Sequence, residues 1–294
     1  MADGWDVNRL IIIQNITEME ERFQNHPAEV SRMNTEELRK AFSITSLMQA
    51  GKIQLVYSHF DRMVIGGVVP VKEEIRLEND DHLKSDYFLE RREMGIINIG
   101  HEGIVKADGI EFTVGKLDCV YLGRGTKEVS FISKVSEEPA LFYLLSDPAH
   151  CTYENKLMKN TEAVFENLGD IKTSNKRTIY KYIHEAGIKS CQLVMGLTIL
   201  EEGNVWNTMP PHTHNRRMEA YLYFDIKKEG RVFHFMGKSD ETRHLVLGNN
   251  EAVISAPWSI HAGCGTGSYS FIWGMAGENQ SFKDMDFVEI RDLK

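Results

Sequence analysis

The stretch His214-Asn-Arg-Arg-Met-Glu-Ala-Tyr-Leu-Tyr-Phe-Asp-Ile-Lys-Lys-Glu-Gly230 decides how the chain is read. An Arg-Arg pair leads into an apolar, aromatic run that ends at a polar turn closed by glycine, the pattern of a strand followed by a tight turn. A second block, Leu89-Glu-Arg-Arg-Glu-Met-Gly-Ile-Ile-Asn-Ile-Gly-His-Glu-Gly103, repeats that order. Each is followed by a further strand and a turn-rich segment, Tyr121-Leu-Gly-Arg-Gly-Thr-Lys127 in the first half and Ser255-Ala-Pro-Trp-Ser-Ile-His261 in the second. We read two homologous β-barrel halves. Between residue 51 and the end, short runs rich in Val, Ile, Tyr and Phe recur at 53–58, 95–99, 110–114, 129–132, 140–145, 192–200, 220–226, 232–236, 252–255 and 270–274. No long helical patterns alternate with them, so a parallel βαβ fold is disfavoured and an all-β sandwich or barrel is expected.

Ahead of these strands the texture differs. From Glu18 to about Ala50 charges are dense, and Leu38, Ala41, Phe42 and Met48 recur at helical spacing behind an Asn34/Glu37 capping box. The expected organisation is a helical arm over 1–50, a first barrel over 51–155 and a second over 156–294. Over 294 residues Asp plus Glu exceed Lys plus Arg by 43 to 34, a net charge of −9 that disfavours nucleic acid and anionic membranes as partners. The four cysteines, Cys119, Cys151, Cys191 and Cys264, show no C-x-x-C pair and read as reduced, mostly buried thiols. The amino terminus lacks the features of a signal peptide, and the longest apolar stretch, near Met63 to Val71, is too short to span a bilayer. A cytoplasmic protein is expected.

The chemistry concentrates in Pro210-Pro-His-Thr-His-Asn-Arg-Arg-Met-Glu219. Alternate residues of an extended chain share a face, so His212 and His214 can grasp one ion. Glu219 follows five residues later, on the opposite face of an unbroken strand. A turn through Asn215 to Arg217 must reset the parity before it can join them, and Tyr221 and Tyr223 would then face the same interior. His261, in Pro257-Trp-Ser-Ile-His261, would return to the ion only in a closed barrel. Three imidazoles and a carboxylate suit zinc, manganese, iron or nickel. In the first half the corresponding positions hold Leu89 and a residue near Lys127, so that half is expected to carry no metal. His59, His101 and His150 are read as structural histidines.

The H-x-H-x(4)-E segment with its later histidine resembles the cupin metal signature. The strings Tyr87-Phe-Leu-Glu-Arg-Arg-Glu93, Thr173-Ser-Asn-Lys-Arg-Thr-Ile179, Trp206-Asn-Thr-Met-Pro210, His212-Thr-His-Asn-Arg-Arg-Met-Glu219 and Ser270-Phe-Ile-Trp-Gly-Met275 are similar to those of the 5-keto-4-deoxyuronate isomerases, or 4-deoxy-L-threo-5-hexosulose-uronate ketol-isomerases. The similarity runs from about Leu55 to Lys294. It implies two cupin-type double-stranded β-helix (jelly-roll) barrels, one zinc ion held by His212, His214, Glu219 and His261, a hexamer, and a role in catabolism of uronates released from pectin or glycosaminoglycans.

A ketol isomerisation moves a proton or hydride between neighbouring carbons. A divalent ion would polarise the carbonyl and stabilise an enediolate. The sequence does not single out the general base, for which His234 is a candidate, although a core histidine is the other reading. For the substrate carboxylate, Arg177 and Lys181 would project to one face of a strand. Two other classes fit the same ligands: an iron-dependent cupin oxygenase, and a non-catalytic sugar-binding cupin whose metal is fully coordinated.

Overall fold

The computed structural model describes residues 19–278, 280–281 and 284–294. Four sheets account for nearly all of its regular structure. A seven-stranded sheet has the spatial order Glu20–Arg22, Ile53–Ser58, Val64–Val68, Phe142–Pro148, Arg92–Asn98, Cys119–Leu122, Lys156–Met158. A four-stranded sheet, ordered Ile75–Arg76, Val129–Ser133, Gly103–Ala107, Ile110–Val114, closes over it. Their facing side chains, among them Met94, Ile96, Val105, Phe131 and Phe142, form one buried cluster.

The second half repeats the plan. A seven-stranded sheet runs Val164–Leu168, Arg177–Ile183, Val194–Leu200, Ser270–Gly277, Arg217–Phe224, Glu251–Ser255, Ser43–Ile44. Its partner sheet runs Glu241–Leu247, Val232–Lys238, His261–Gly265, Trp206–Thr213, Asp286–Phe287. The strands Arg92–Asn98 and Arg217–Phe224, which carry the two Arg-Arg blocks, hold the same place in their respective large sheets. The repeat read from sequence is thus a repeat of topology. The two large sheets also share one hydrophobic cluster, in which Ile97, Tyr121, Tyr143 and Leu145 of the first meet Leu193, Met195 and Met218 of the second. Leu145 Cδ1 stands only 2.0 Å from where a Cβ would project from Gly274, so only glycine lets the sheets approach this closely there.

The segment expected as a helical arm is more varied. Residues 1–18 of it lie outside the described residues. Of the rest, Pro27–Val30 is a single turn, and only Thr35–Phe42 is a longer helix, with Asn34 accepting from the Glu37 amide and Glu37 reaching back to Asn34 as the capping box requires. Glu20–Arg22 pairs in parallel with Ile53–Ser58, and Ser43–Ile44 pairs with Glu251–Ser255 of the second half. Edge strands of two or three residues carry too little periodicity to be seen in a charged stretch.

Candidate metal centre

The described strands bring four predicted ligands together from three places. His212 and His261 are opposite one another on neighbouring strands of the five-stranded sheet. His214 lies just beyond the end of its strand, and Glu219 comes from the large sheet facing it. The parity reset occurs where the sequence demands it: Asn215 and Arg216 form an exposed turn, closed by the Arg217 amide donating to the His214 carbonyl at 3.3 Å. Arg217, Glu219, Tyr221 and Tyr223 then share one face of a strand that is buried along its whole length.

The donor atoms lie at the edge lengths of a coordination polyhedron. His212 Nε2 is 3.0 Å from His214 Nε2 and 2.9 Å from His261 Nε2, while Glu219 Oε2 is 2.9 Å from His261 Nε2 and 3.5 Å from His214 Nε2. Donors bound at about 2.1 Å are separated by about 3.0 Å at right angles and about 3.4 Å in a tetrahedron, so the set fits one divalent ion. Its protonation suits the same end. The His214 Nδ1–H donates to the Asp284 carbonyl at 2.6 Å, which leaves the Nε2 lone pair for a metal. Burial, followed by the neighbouring imidazoles, pushes His212 down to about 2, so it is neutral. Burial opposes ionisation of Glu219, yet the His261 and His214 rings hold its carboxyl well below the usual range. Among the described residues, Glu219 Oε2 is buried with no well-formed hydrogen bond beyond its ring contacts to His261 and His214. A buried carboxylate oxygen in that position, with three imidazole nitrogens around it, is satisfied by a cation.

His212, His214 and Glu219 line a cavity of about 280 Å³. Its walls are mostly apolar, with Ile179, Phe271, Trp273, Met275 and Phe287 among them, and its polar groups include Arg177, Thr198, Thr208, Arg217 and Tyr221. Of the four substrate-binding candidates, Arg177 and Tyr221 line this cavity and Lys181 and Tyr223 do not. Lys181 is in register with Gly196, Trp273 and Tyr221 across four strands. The Trp273 indole lies over Gly196, within 2.3 Å of a Cβ position there, and so comes between Lys181 and the cavity. The Lys181 ammonium instead sits 2.8 Å from Glu166. Tyr223 is also absent from the lining, its hydroxyl 2.8 Å from His234 Nδ1. His234 is fully buried off the cavity wall, and burial pushes it down to about 3, the state of a neutral core histidine.

The sequence sets both Arg216 and Arg217 beside the metal loop, with ion pairs across a subunit contact as the alternative, and does not say which of them faces the cavity. The two arginines separate: Arg216 is exposed and donates to Glu278 at 2.6 Å, whereas Arg217 is buried, its Nη2 within 3.3 Å of His214 Nδ1. Its position two residues before Glu219 is the signal that would have found it. Thr208 and Met209 were hidden by a break in strand register between Asn207 and His212, which bulges the wall into the cavity.

Among the described residues, the register of the first half puts a different side chain at the place of Glu219. The row Val64, Ser146, Met94, Leu122 corresponds to Val194, Met275, Glu219, Ser255, so Met94 occupies the place of Glu219. Its carboxylate neighbour, Glu93, is one residue earlier and points to the opposite face.

Comparison with known proteins agrees with this picture. Residues 43–290 match the sequence model of the KduI/IolB family. The chain is 56% identical to the 4-deoxy-L-threo-5-hexosulose-uronate ketol-isomerase of Halalkalibacterium halodurans over 276 residues, covering 94% of this chain and 100% of that protein. The enzyme of the same name from Bacillus subtilis is 51% identical over the same shares. Among solved structures, an IolB-like protein from Salmonella typhimurium superimposes with a TM-score of 0.68 at 15% identity, covering 84% of this chain and 96% of that one. An oxalate decarboxylase of Bacillus subtilis gives 0.56 at 12% identity, with 83% and 79% covered. These two likenesses concern the fold alone.

Proposed function

The chain belongs to the KduI/IolB family, and from that premise we propose that it is a 4-deoxy-L-threo-5-hexosulose-uronate ketol-isomerase that uses one divalent metal ion, zinc, held by His212, His214, Glu219 and His261. The observation that carries the reading is the convergence of three imidazole nitrogens and one carboxylate oxygen at a small, mostly apolar cavity whose wall includes His212, His214 and Glu219. Relatives of that name match over their whole length, so the activity is an intramolecular oxidoreduction on a small uronate. Held by His212, His214, Glu219 and His261, a divalent ion would supply Lewis-acid polarisation of a substrate carbonyl and neutralise negative charge developing on its oxygen.

The chain's own groups do the rest. Arg177, half-buried at the cavity wall with its Nη1 donating to the Asn175 carbonyl at 2.8 Å, is placed to receive the substrate carboxylate. Arg217 adds a second buried cation beside His214. Burial, followed by the neighbouring Glu219 carboxylate, keeps the Tyr221 hydroxyl protonated, and with Glu219 and Thr208 as its hydrogen-bond neighbours it is placed to orient that carboxylate at the cavity wall. Trp273, Phe271 and Met275 keep water from the reacting carbons and thereby strengthen each of these interactions. The hydrogen that leaves the hydroxyl-bearing carbon, as proton or hydride, arrives at the former carbonyl carbon, so substrate and product are isomers.

On the same reading, the two sheet pairs are two cupin-type barrels, 51–155 and 156–294, of which the second binds metal. Self-association, in the hexamer that the resemblance implies, is supported by the exposed apolar residues Val164, Phe165 and Leu168 on an edge strand and Ile171 just after it. Four unpaired thiols support a reducing, cytoplasmic setting.

The decisive experiment follows conversion of the unsaturated-uronate-derived keto-aldehyde by proton NMR in heavy water, before and after complete chelation. Conversion is expected to stop with chelation and to return with zinc. Turnover that continues in demonstrably metal-free protein would reject the catalytic ion.

A further inference from the structure

A second cluster of metal-ligating side chains lies away from the cavity. His150, Cys151 and Cys191 each offer a donor atom within 4.8 Å of the other two. The two sulfurs are 3.5 Å apart, close to the roughly 3.8 Å edge spanned by two thiolates on one tetrahedral zinc at about 2.3 Å each. We propose that His150, Cys151 and Cys191 form a second, structural site for a thiophilic divalent cation, tying the end of one large sheet to the start of a strand in the other.

Three observations converge on that site. His150 and Cys151 follow directly on the strand Phe142–Pro148 of the first large sheet, and Cys191 shortly precedes Val194–Leu200 of the second. The Cys191 sulfur receives the Cys151 backbone amide at 3.5 Å. Backbone amides aimed at a sulfur are the outer shell that tunes and orients ligating thiolates. Finally, the imidazole completes a mixed set of two sulfurs and a nitrogen, whereas a disulfide would account for the sulfurs and leave His150 with no part.

The Cys191 thiol donates to the Cys151 carbonyl at 3.3 Å. Binding replaces two thiol protons, released to solvent, with one doubly charged ion, so the pair stays neutral without any oxidant. His150 is exposed and Cys151 half-buried, which leaves the fourth position open to water.

The test is cobalt titration of reduced, metal-free, full-length protein. Two ions per chain are expected, one of them producing the near-ultraviolet charge-transfer band of thiolate-bound cobalt, which the three-imidazole, one-carboxylate centre cannot produce. Cys151→Ser should take up one ion and lose the band. Glu219→Gln should keep the band while losing the other ion, which separates this site from the catalytic one. His150→Ala, a change at an exposed position, should retain the band with weaker binding and guards against a failure of the cysteine variant to fold. Wild-type protein that binds a single cobalt without the band, or a band that persists in Cys151→Ser, would overturn the proposal.

Discussion

Arg177 and Lys181 show what a single residue's surroundings decide. Both sit on one strand four residues apart, and both carry a cation, yet only Arg177 reaches the cavity because Trp273 stands over Gly196 in front of Lys181. Replacing Arg177 by Ala should raise KM by about tenfold to a hundredfold, the worth of a charge-assisted hydrogen bond, while Lys181→Ala stays within about twofold of wild type. Equal effects in steady-state kinetics would refute the assignment. A second residue makes a statement about pH. Asp147 is fully buried in the first half, and among the described residues neither of its carboxylate oxygens has a hydrogen-bond partner. Burial raises its pKa well above 3.8, against the pull of the nearby Arg92. A raised folded-state value means the folded chain holds this proton more tightly than the unfolded chain does. The associated stability is therefore present below the ordinary aspartate range and is lost as pH rises through the folded-state value. Asp147→Asn should leave stability at low pH little changed and raise the melting temperature at pH 8. A lower melting temperature there would show that the ionised carboxylate is compensated.

At the scale of elements, what could be read in the sequence was set by how strongly periodicity and turn chemistry constrain a segment. All ten strands expected from apolar runs overlap observed ones, and the parity argument for Glu219 located a real turn. Val64–Val68 was legible only as an apolar stretch, because a central strand buried on both faces shows no alternation. The bulge at 208–211 was invisible, since it depends on register with His261–Gly265 and not on local composition. Register also explains the two fates of the Arg-Arg blocks. The order Glu93-Met94 in one and Met218-Glu219 in the other exchanges the faces of acid and thioether. In the first half the acid becomes a clamp: Glu93 accepts from the Tyr121 hydroxyl at 2.8 Å and from the amides of Cys191, Gln192 and Leu193 at 2.7 to 2.9 Å. Glu93→Gln keeps the shape but sets an amide NH2 among donors. It should cost about 2–4 kcal/mol in denaturant unfolding, because buried donors lose a charged acceptor. A loss below about 0.5 kcal/mol would mean that the 191–193 loop is held by packing alone.

For the whole molecule, the metal centre and the amino-terminal segment both join parts that the chain makes far apart. Phe42, Ile44 and Leu47 are buried in the cluster that also contains Val253 and Ile254, so residues from the start of the chain complete the sheet that carries Glu219. The four donors likewise come from both sheets of the second pair, three from the smaller sheet and its flank and one from the larger. An ion bound there links the two sheets in the folded state and has no comparable site in the unfolded chain, so its binding free energy adds to stability. At a free metal concentration a hundred times its Kd the gain is about 2.7 kcal/mol, or very roughly 5–10 °C in melting temperature for a chain of this size. Thermal unfolding of metal-loaded and chelated protein should differ by that amount. In Glu219→Gln, which removes the anionic donor, the difference should shrink to less than about half. The comparison is made in the Cys151→Ser background, so that any ion at the thiol cluster does not contribute. A melting temperature unmoved by chelation, with metal analysis confirming that the ion has gone, would mean that the two sheets are held together without it and that the four donors meet for another reason.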